Sequence, residues 1–441
     1  MLTSLPGRDQ STEGWVAETF AALARMPVDG PEPMVWPFAP YYSGNPFQNL
    51  LYGDFLEQGL IAVPTFRAED LRTTTRNWPT DLPLVVHLHW LNQVLARART
   101  DEEANQALGR HEELLDLLKA RGARLVWTVH NSLPHDTRFE AQEAKLRRDV
   151  IDRVDLVHIM SPRTPDLVAD WFTLPADRIY HCDHPGYQGV YPDWVTRMDA
   201  RRRLRVPDGA LVLLLTGAIK PYKGLLELFE AVDRVSAERP GSVVLVVAGK
   251  PDEAPETTAF IARAAQHPAV RLLPGQVPDV DIQVLMRACD VVAVPYRRSL
   301  NSGVLALALT WGRPVLLPDN SGSVPLVNDP SAPAGLIYPG EDPDALVEAV
   351  RACLSWDLSA ANAAAVAAGQ RIDRATIATK FATDLRGWAD TNDIPASSIQ
   401  IPGGSRSVPG TARVRQPEGA RLPAPTRVPA SLPGSELSNR G

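Results

Sequence analysis

Short runs of Val, Leu and Ile recur along the chain, and longer stretches between them repeat their apolar residues at helical spacing. In the first half these runs are 34–37, 84–90, 125–130, 156–161 and 178–181. In the second half they are 210–217, 243–249, 270–273, 290–295, 314–318 and 335–338. The stretches 101–121, 224–238, 256–267 and 342–355 carry apolar residues at a 3.6-residue period behind Asp- or Glu-rich starts, which predicts helices. Strands that are apolar at consecutive positions are buried on both faces, and strands linked by helices make parallel sheets. The polar stretch 188–207, rich in Pro and Arg, separates two such sets, and no 20–50-residue repeat joins them. The expected fold class is therefore α/β, with two Rossmann-like, doubly wound parallel-sheet domains facing a cleft.

The boundaries that follow are an N-terminal extension with a helix at 1–30, a first domain at 31–190, a linker at 191–207 and a second domain at 208–372. A terminal helix at 373–394 has the option of crossing back, and a disordered tail is expected at 395–441. That tail carries eight prolines and six Arg against two Glu, too little apolar surface to offset its chain entropy. It reads either as a solvated extension or as a basic segment that touches anionic lipid or acidic partners. Trp15, Phe20 and Leu23 suggest an apolar helical face that packs on the first domain.

Composition narrows the class. With 441 residues, 44% of them hydrophobic, the chain has ample material for two cores. A net charge of −7 argues against a dedicated nucleic-acid binder, which needs clustered Lys and Arg. Three scattered cysteines give neither a disulfide framework nor a Cys-based zinc site. No apolar run reaches membrane-spanning length, and the first residues lack a basic segment followed by an apolar one. A cytoplasmic protein is expected, with peripheral contact at the inner membrane face as an option.

In open α/β sheets, ligands bind beyond the carboxyl ends of the strands, where helix N-termini aim free N–H groups at anions. The loop after 210–217 holds Lys220 and Lys223 ahead of Gly224. Two lysines beside a helix start suit a diphosphate, or else form a solvated turn. After 290–295 comes Asn301-Ser302-Gly303 at another helix start. This is either an anion or hydroxyl site or an N-cap with close helix packing. His87 and His89, two apart on a strand, share one face but lack a carboxylate or Cys partner, so a structural role is favoured over a metal site. His130 ends the next strand in the expected cleft and reads as a base, a phosphate or sugar contact, or a satisfied strand-end histidine. Asp136 in the same loop is either the base for an acceptor hydroxyl or a turn cap. His184-Pro185-Gly186-Tyr187 closes the last run of the first half and is expected at the cleft or hinge.

The ordered segments GAIKPYKG (217–224), VVAGKP (246–251), VRLLPGQVPD (270–279), ACDVVAVPY (288–296) and NSGVLALALTWGRPV (301–315) resemble the nucleotide-sugar-binding domain of GT-B glycosyltransferases, in particular the family 4-like group. The resemblance is good over 211–350 and looser before it. It implies that Lys223 contacts the donor diphosphate, and that Lys220 replaces a basic residue which the family places where Ala218 stands. The loop 274–277 resembles the one whose backbone holds the nucleobase. Gly44-Asn45-Pro46 resembles the glycine loop that faces the donor phosphates across the cleft, although Asn45 is also a good N-cap. The family's retaining members carry two glutamates eight positions apart; Ser299 and Leu307 occupy those places here.

The function implied is a hexosyl transfer from a nucleotide-sugar donor to a glycan, a lipid-linked or a small-molecule acceptor, with no metal or other cofactor. The alternatives are a nucleotide-sugar epimerase of the same architecture and a non-catalytic scaffold. Expected site residues are His130 and Asp136 for chemistry, and Gly44, Asn45, Lys220, Lys223, Asn301, Ser302 and Gly303 for the donor.

Overall fold

The computed structural model describes residues 19–27, 29–72, 81–134, 137–342 and 344–395. The expected disordered tail from residue 396, Trp15 and Asp136 lie outside them. The first sheet holds β1 (Met34–Ala39), β2 (Leu60–Pro64), β3 (Val85–Leu88), β4 (Arg124–Thr128), β5 (Leu156–Ile159) and β6 (Ile179–His181). The second holds β7 (Leu211–Thr216), β8 (Val243–Gly249), β9 (Val270–Pro274), β10 (Val291–Ala293), β11 (Val315–Pro318) and β12 (Gly335–Tyr338). Their spatial orders are β2-β1-β3-β4-β5-β6 and β12-β11-β10-β7-β8-β9, every pairing parallel. These are two doubly wound α/β lobes, as the alternation of runs and helices predicts.

Strand β2 was not visible in the apolar pattern. It is five residues long, ends in Pro64 and lies at the sheet edge, where a missing N–H costs no ladder bond. The helices begin where their polar signals stand. Thr100 caps Asp101–Ala120 by accepting from the Glu103 N–H at 3.2 Å, and three acidic residues fill the first turn.

The last described helix, Arg374–Thr391, packs on the first sheet although it follows the second lobe. Phe381, Leu385 and Trp388 join Trp36, Phe38 and Val126 in one core. Arg124 donates to the Ala389 and Trp388 carbonyls and stacks 3.7 Å from the Trp388 ring centre, which holds the returning helix in place. The two chain crossings run side by side: Gly186 N–H donates to the Ile372 carbonyl at 2.6 Å, and Gln188 donates to the Gly369 carbonyl. With both sheets parallel, the loops after their strands converge on one interlobe cleft.

Candidate active site

The second lobe contributes a cationic wall. After β7 the chain turns at Gly217, with φ of +90°, and makes a single 3-10 turn, Pro221–Lys223, closed by Gly224 at φ +68°. A Cβ on Gly224 would stand 2.2 Å from the Pro295 carbonyl oxygen, so only glycine lets the helix Leu225–Glu238 start against the loop after β10. The turn buries Lys223. Its Nζ lies 3.5 Å from the Thr216 carbonyl and 5.1 Å from the Tyr296 ring centre. Burial, with Lys220's charge as the second cause, lowers its pKa to about 8. A lysine this buried, with no carboxylate beside it among the described residues, is a cation waiting for an anion. Lys220 sits at the far end of the turn and is not among the cleft-lining residues.

The loop after β10 supplies the neighbouring wall. Arg297 turns away to pair with Glu227, whereas Arg298 lines the cleft. Ser302 caps the helix Gly303–Thr310, accepting from the Leu305 N–H at 3.2 Å. Gly303 opens that helix beneath the first lobe: a Cβ there would lie 2.8 Å from the Tyr187 hydroxyl and 3.5 Å from His184 Nε2. Asn301 reaches across the cleft, its Nδ2 donating to the His130 carbonyl at 3.3 Å. Lys223, Arg298, Asn301, Ser302 and Gly303, together with Asn131 of the first lobe, line a cleft of about 370 Å³. Ser299 and Leu307, which stand where the related glutamates would be, line it too.

The first lobe's side is built on imidazoles. The His130 ring stacks on Trp90 with centroids 4.0 Å apart, and its Nε2 is 3.0 Å from His89 Nδ1. His89 Nε2 and His87 Nδ1 both meet the Tyr52 hydroxyl, at 2.6 and 2.7 Å. His87 Nε2 lies 2.7 Å from Thr128 Oγ1, which lies 2.9 Å from His158 Nδ1, and His158 Nε2 reaches the Cys182 carbonyl at 3.0 Å. All four rings are buried, which pushes their pKa values well down, His158 to about 3. Among the described residues no group of three His, Cys, Asp or Glu side chains is placed to hold a metal ion.

His87, His89 and His130 thus meet in one hydrogen-bonded chain. Tyr52, Thr128 and His158 were missed, although polar residues near the ends of otherwise apolar strands are a legible signal for two of them. Tyr52 follows the short helix Pro46–Leu51 and gave none. Gly44 and Asn45 line a separate cavity of about 1380 Å³ in the first lobe, away from Lys223, and Asn45 caps that helix through the Phe47 N–H. Trp90, Arg67, Arg97 and Arg110 line the same cavity.

Residues 210–355 match the family model described as "Glycosyl transferases group 1". A GDP-mannose:glycolipid 4-beta-D-mannosyltransferase of Xanthomonas campestris pv. campestris is 31% identical over 265 residues, which is 60% of this chain and 69% of the relative. A D-inositol 3-phosphate glycosyltransferase of Salinispora arenicola is 33% identical over 154 residues, 33% of each chain. Among solved structures, sucrose-phosphate synthase of Thermosynechococcus elongatus superimposes with a TM-score of 0.62 at 15% identity, covering 81% of this chain and 99% of the other. Anabaena HepE in complex with UDP-glucose gives 0.60 at 18% identity, with 80% and 100% covered. These structural likenesses establish the shared two-lobed fold.

Proposed function

The chain belongs to the group 1 glycosyl transferases, enzymes that move a sugar from a nucleotide-sugar donor, and we propose that it builds a β-mannosyl bond from GDP-mannose on a lipid-linked saccharide. One observation carries the reading of the site: a buried Lys223 on one wall stands across the cleft from Asn131 and Ser132, the residues that directly follow His130. Breaking the anomeric C–O bond leaves negative charge on the departing diphosphate. Lys223, Arg298 and the N-terminus of the helix Gly303–Thr310 are fixed donors for that charge, so no divalent cation is required in this scheme.

GDP-mannose holds its sugar in an α bond, and a β product therefore forms by inversion. Inversion needs a base opposite the leaving group, and we assign that role to His130, which directly precedes Asn131 and Ser132 on that wall. The larger cavity suits the acceptor. Its apolar walls, Leu88, Leu91 and Leu114, accommodate lipid, and Arg67, Arg97 and Arg110 at its rim suit an anionic linkage. No described helix is long and apolar enough to cross a membrane, so a lipid-linked acceptor would be met at the membrane surface.

The test is a thermal-shift panel of GDP, UDP, ADP and their sugars, followed by turnover of the best donor with lipid-linked saccharides. A ligand at 100 times its Kd stabilises by about 2.7 kcal/mol. A shift selective for GDP and a β-linked product would support the proposal. Selectivity for UDP, or an α-linked product, would overturn it.

A further inference from the structure

The histidine chain of the first lobe has a direction, and that direction ends at His130. A carbonyl oxygen only accepts, so at the Cys182 end His158 must donate from Nε2. Burial keeps His158 neutral, which leaves its Nδ1 an acceptor for the Thr128 hydroxyl. Thr128, having spent its proton, accepts from His87 Nε2. The neutral His87 then carries a bare Nδ1. The indole N–H of Trp36, which can only donate, points at the same nitrogen from 3.5 Å and requires the same assignment. Tyr52 therefore donates to His87 and accepts from His89 Nε2. The bare Nδ1 of His89 accepts in turn from His130 Nε2.

We infer that this chain, anchored at the Cys182 carbonyl and the Trp36 indole, fixes His130 as its Nε2–H tautomer and leaves the Nδ1 lone pair as the proton acceptor, at the strand end whose carbonyl receives Asn301 of the cleft. Nδ1 has no hydrogen-bond partner among the described residues, and His130 touches a residue of each cavity, Trp90 through its ring and Asn301 through its carbonyl. Trp90, on which it stacks, lines the larger cavity, whereas Asn131 and Asn301 line the cleft. The tautomer assignment stands on the hydrogen-bond geometry of the buried rings, whose burial keeps them neutral; its use as a base rests on the inverting reading above. In that use the acceptor oxygen forms the bond to C1, the bond from C1 to the diphosphate oxygen breaks with its electron pair on phosphate, and the acceptor proton passes to His130 Nδ1. The resulting imidazolium gives the proton to solvent after product leaves. His89, Tyr52, His87, Thr128 and His158 are positioning residues, because a His130 with its proton on Nδ1 would present a donor where the reaction needs a lone pair.

The experiment labels the full chain with ¹⁵N at its histidine rings and reads the tautomers by NMR, with His130 assigned from the signals lost in His130→Gln. Wild-type His130, His89, His87 and His158 should each show a proton on Nε2 and a bare Nδ1. Tyr52→Phe keeps the ring packing but cuts the chain between His87 and His89, so an Nδ1–H population of His130 should appear. Its kcat should fall about five- to fiftyfold, with GDP affinity unchanged. Thr128→Val, with Thr128→Ser as rescue, repeats the test nearer the anchor. A proton on Nδ1 of wild-type His130, or a Tyr52→Phe protein with unchanged tautomer and kcat, would overturn the inference. If the tautomers are as stated but the product is α-linked, the inverting reading fails and the assignment stands.

Discussion

Asn301 hydrogen-bonds to the His130 backbone carbonyl at 3.3 Å, which ties the loop after β10 in one lobe to the strand end that carries the candidate base in the other. The same contact face is held by Arg163, which donates to the Asp319 and Ser321 carbonyls, and by Ser161, which donates to the Gly322 carbonyl. Closure and base placement therefore share one hydrogen bond. Asn301→Ala should lower kcat/KM for donor by about tenfold, the scale of one hydrogen bond of about 1 kcal/mol plus looser positioning. Steady-state kinetics with stability measured in parallel checks it, since a loss of the same size in Tm alone would mark the bond as purely structural.

Gly303 is required by the chain crossing that carries Tyr187 rather than by its own helix. A Cβ there falls 2.8 Å from the Tyr187 hydroxyl, so Gly303→Ala should destabilise the closed arrangement by about 1–3 kcal/mol. Tyr187→Phe removes the clashing oxygen and should recover most of the loss. Thermal unfolding of the two single variants and the double variant gives the coupling directly.

Lys223 trades stability for binding. A pKa lowered from 10.5 to about 8 corresponds to about 3 kcal/mol of burial cost carried by the charged form. Lys223→Met should raise the Tm of the unliganded protein by a few degrees, while abolishing the thermal shift with nucleoside diphosphate. In the wild type, Lys223 is charged below about pH 8 and neutral above it. Donor affinity should therefore weaken by up to about tenfold between pH 8 and pH 9.5, measured by titration calorimetry.

Acid should unfold the protein early. His87, His89, His111, His130, His158 and His184 are all held neutral by burial, with folded pKa values of about 4 for His111 and His184 and about 3 for His158. In the unfolded chain each protonates near 6.5. As pH falls below 6.5 the unfolded state therefore binds protons that the folded state refuses, and stability drops. By pH 5 His111, His158 and His184 alone withdraw about 6 kcal/mol, a large share of a whole domain's stability. A Tm series from pH 7.5 to 5 should fall steeply below pH 6.5, and a flat series would contradict the buried neutral state.

Chelation gives the last check. If Lys223, Arg298 and the helix N-terminus carry the leaving group, excess EDTA should leave kcat unchanged. Loss of activity restored by Mg²⁺ or Mn²⁺ would show that a cation shares the diphosphate.

Local patterns were enough to define the two parallel sheets, because apolar runs and helical periods are properties of neighbours in sequence. They also marked Lys223, Ser302 and Gly303, since post-strand loops next to helix starts place polar groups at a cleft whatever the rest of the chain does. The edge strand β2 escaped because five residues ending in proline carry little periodic signal. The partition of site residues between two cavities belonged to the tertiary structure: Gly44 and Lys223 both follow strands, but they line different cavities. The histidine chain did as well. His87, Thr128 and His158 come from three adjacent strands, Tyr52 from the end of a short helix, and only the register of β3, β4 and β5 brings their polar atoms within 3 Å of one another. Burial by Phe381, from a helix more than 200 residues further along the chain than His87 and His158, then helps keep the rings neutral. A sequence specifies which groups exist; the packing of distant segments decides which are dry, and so which nitrogen carries the proton.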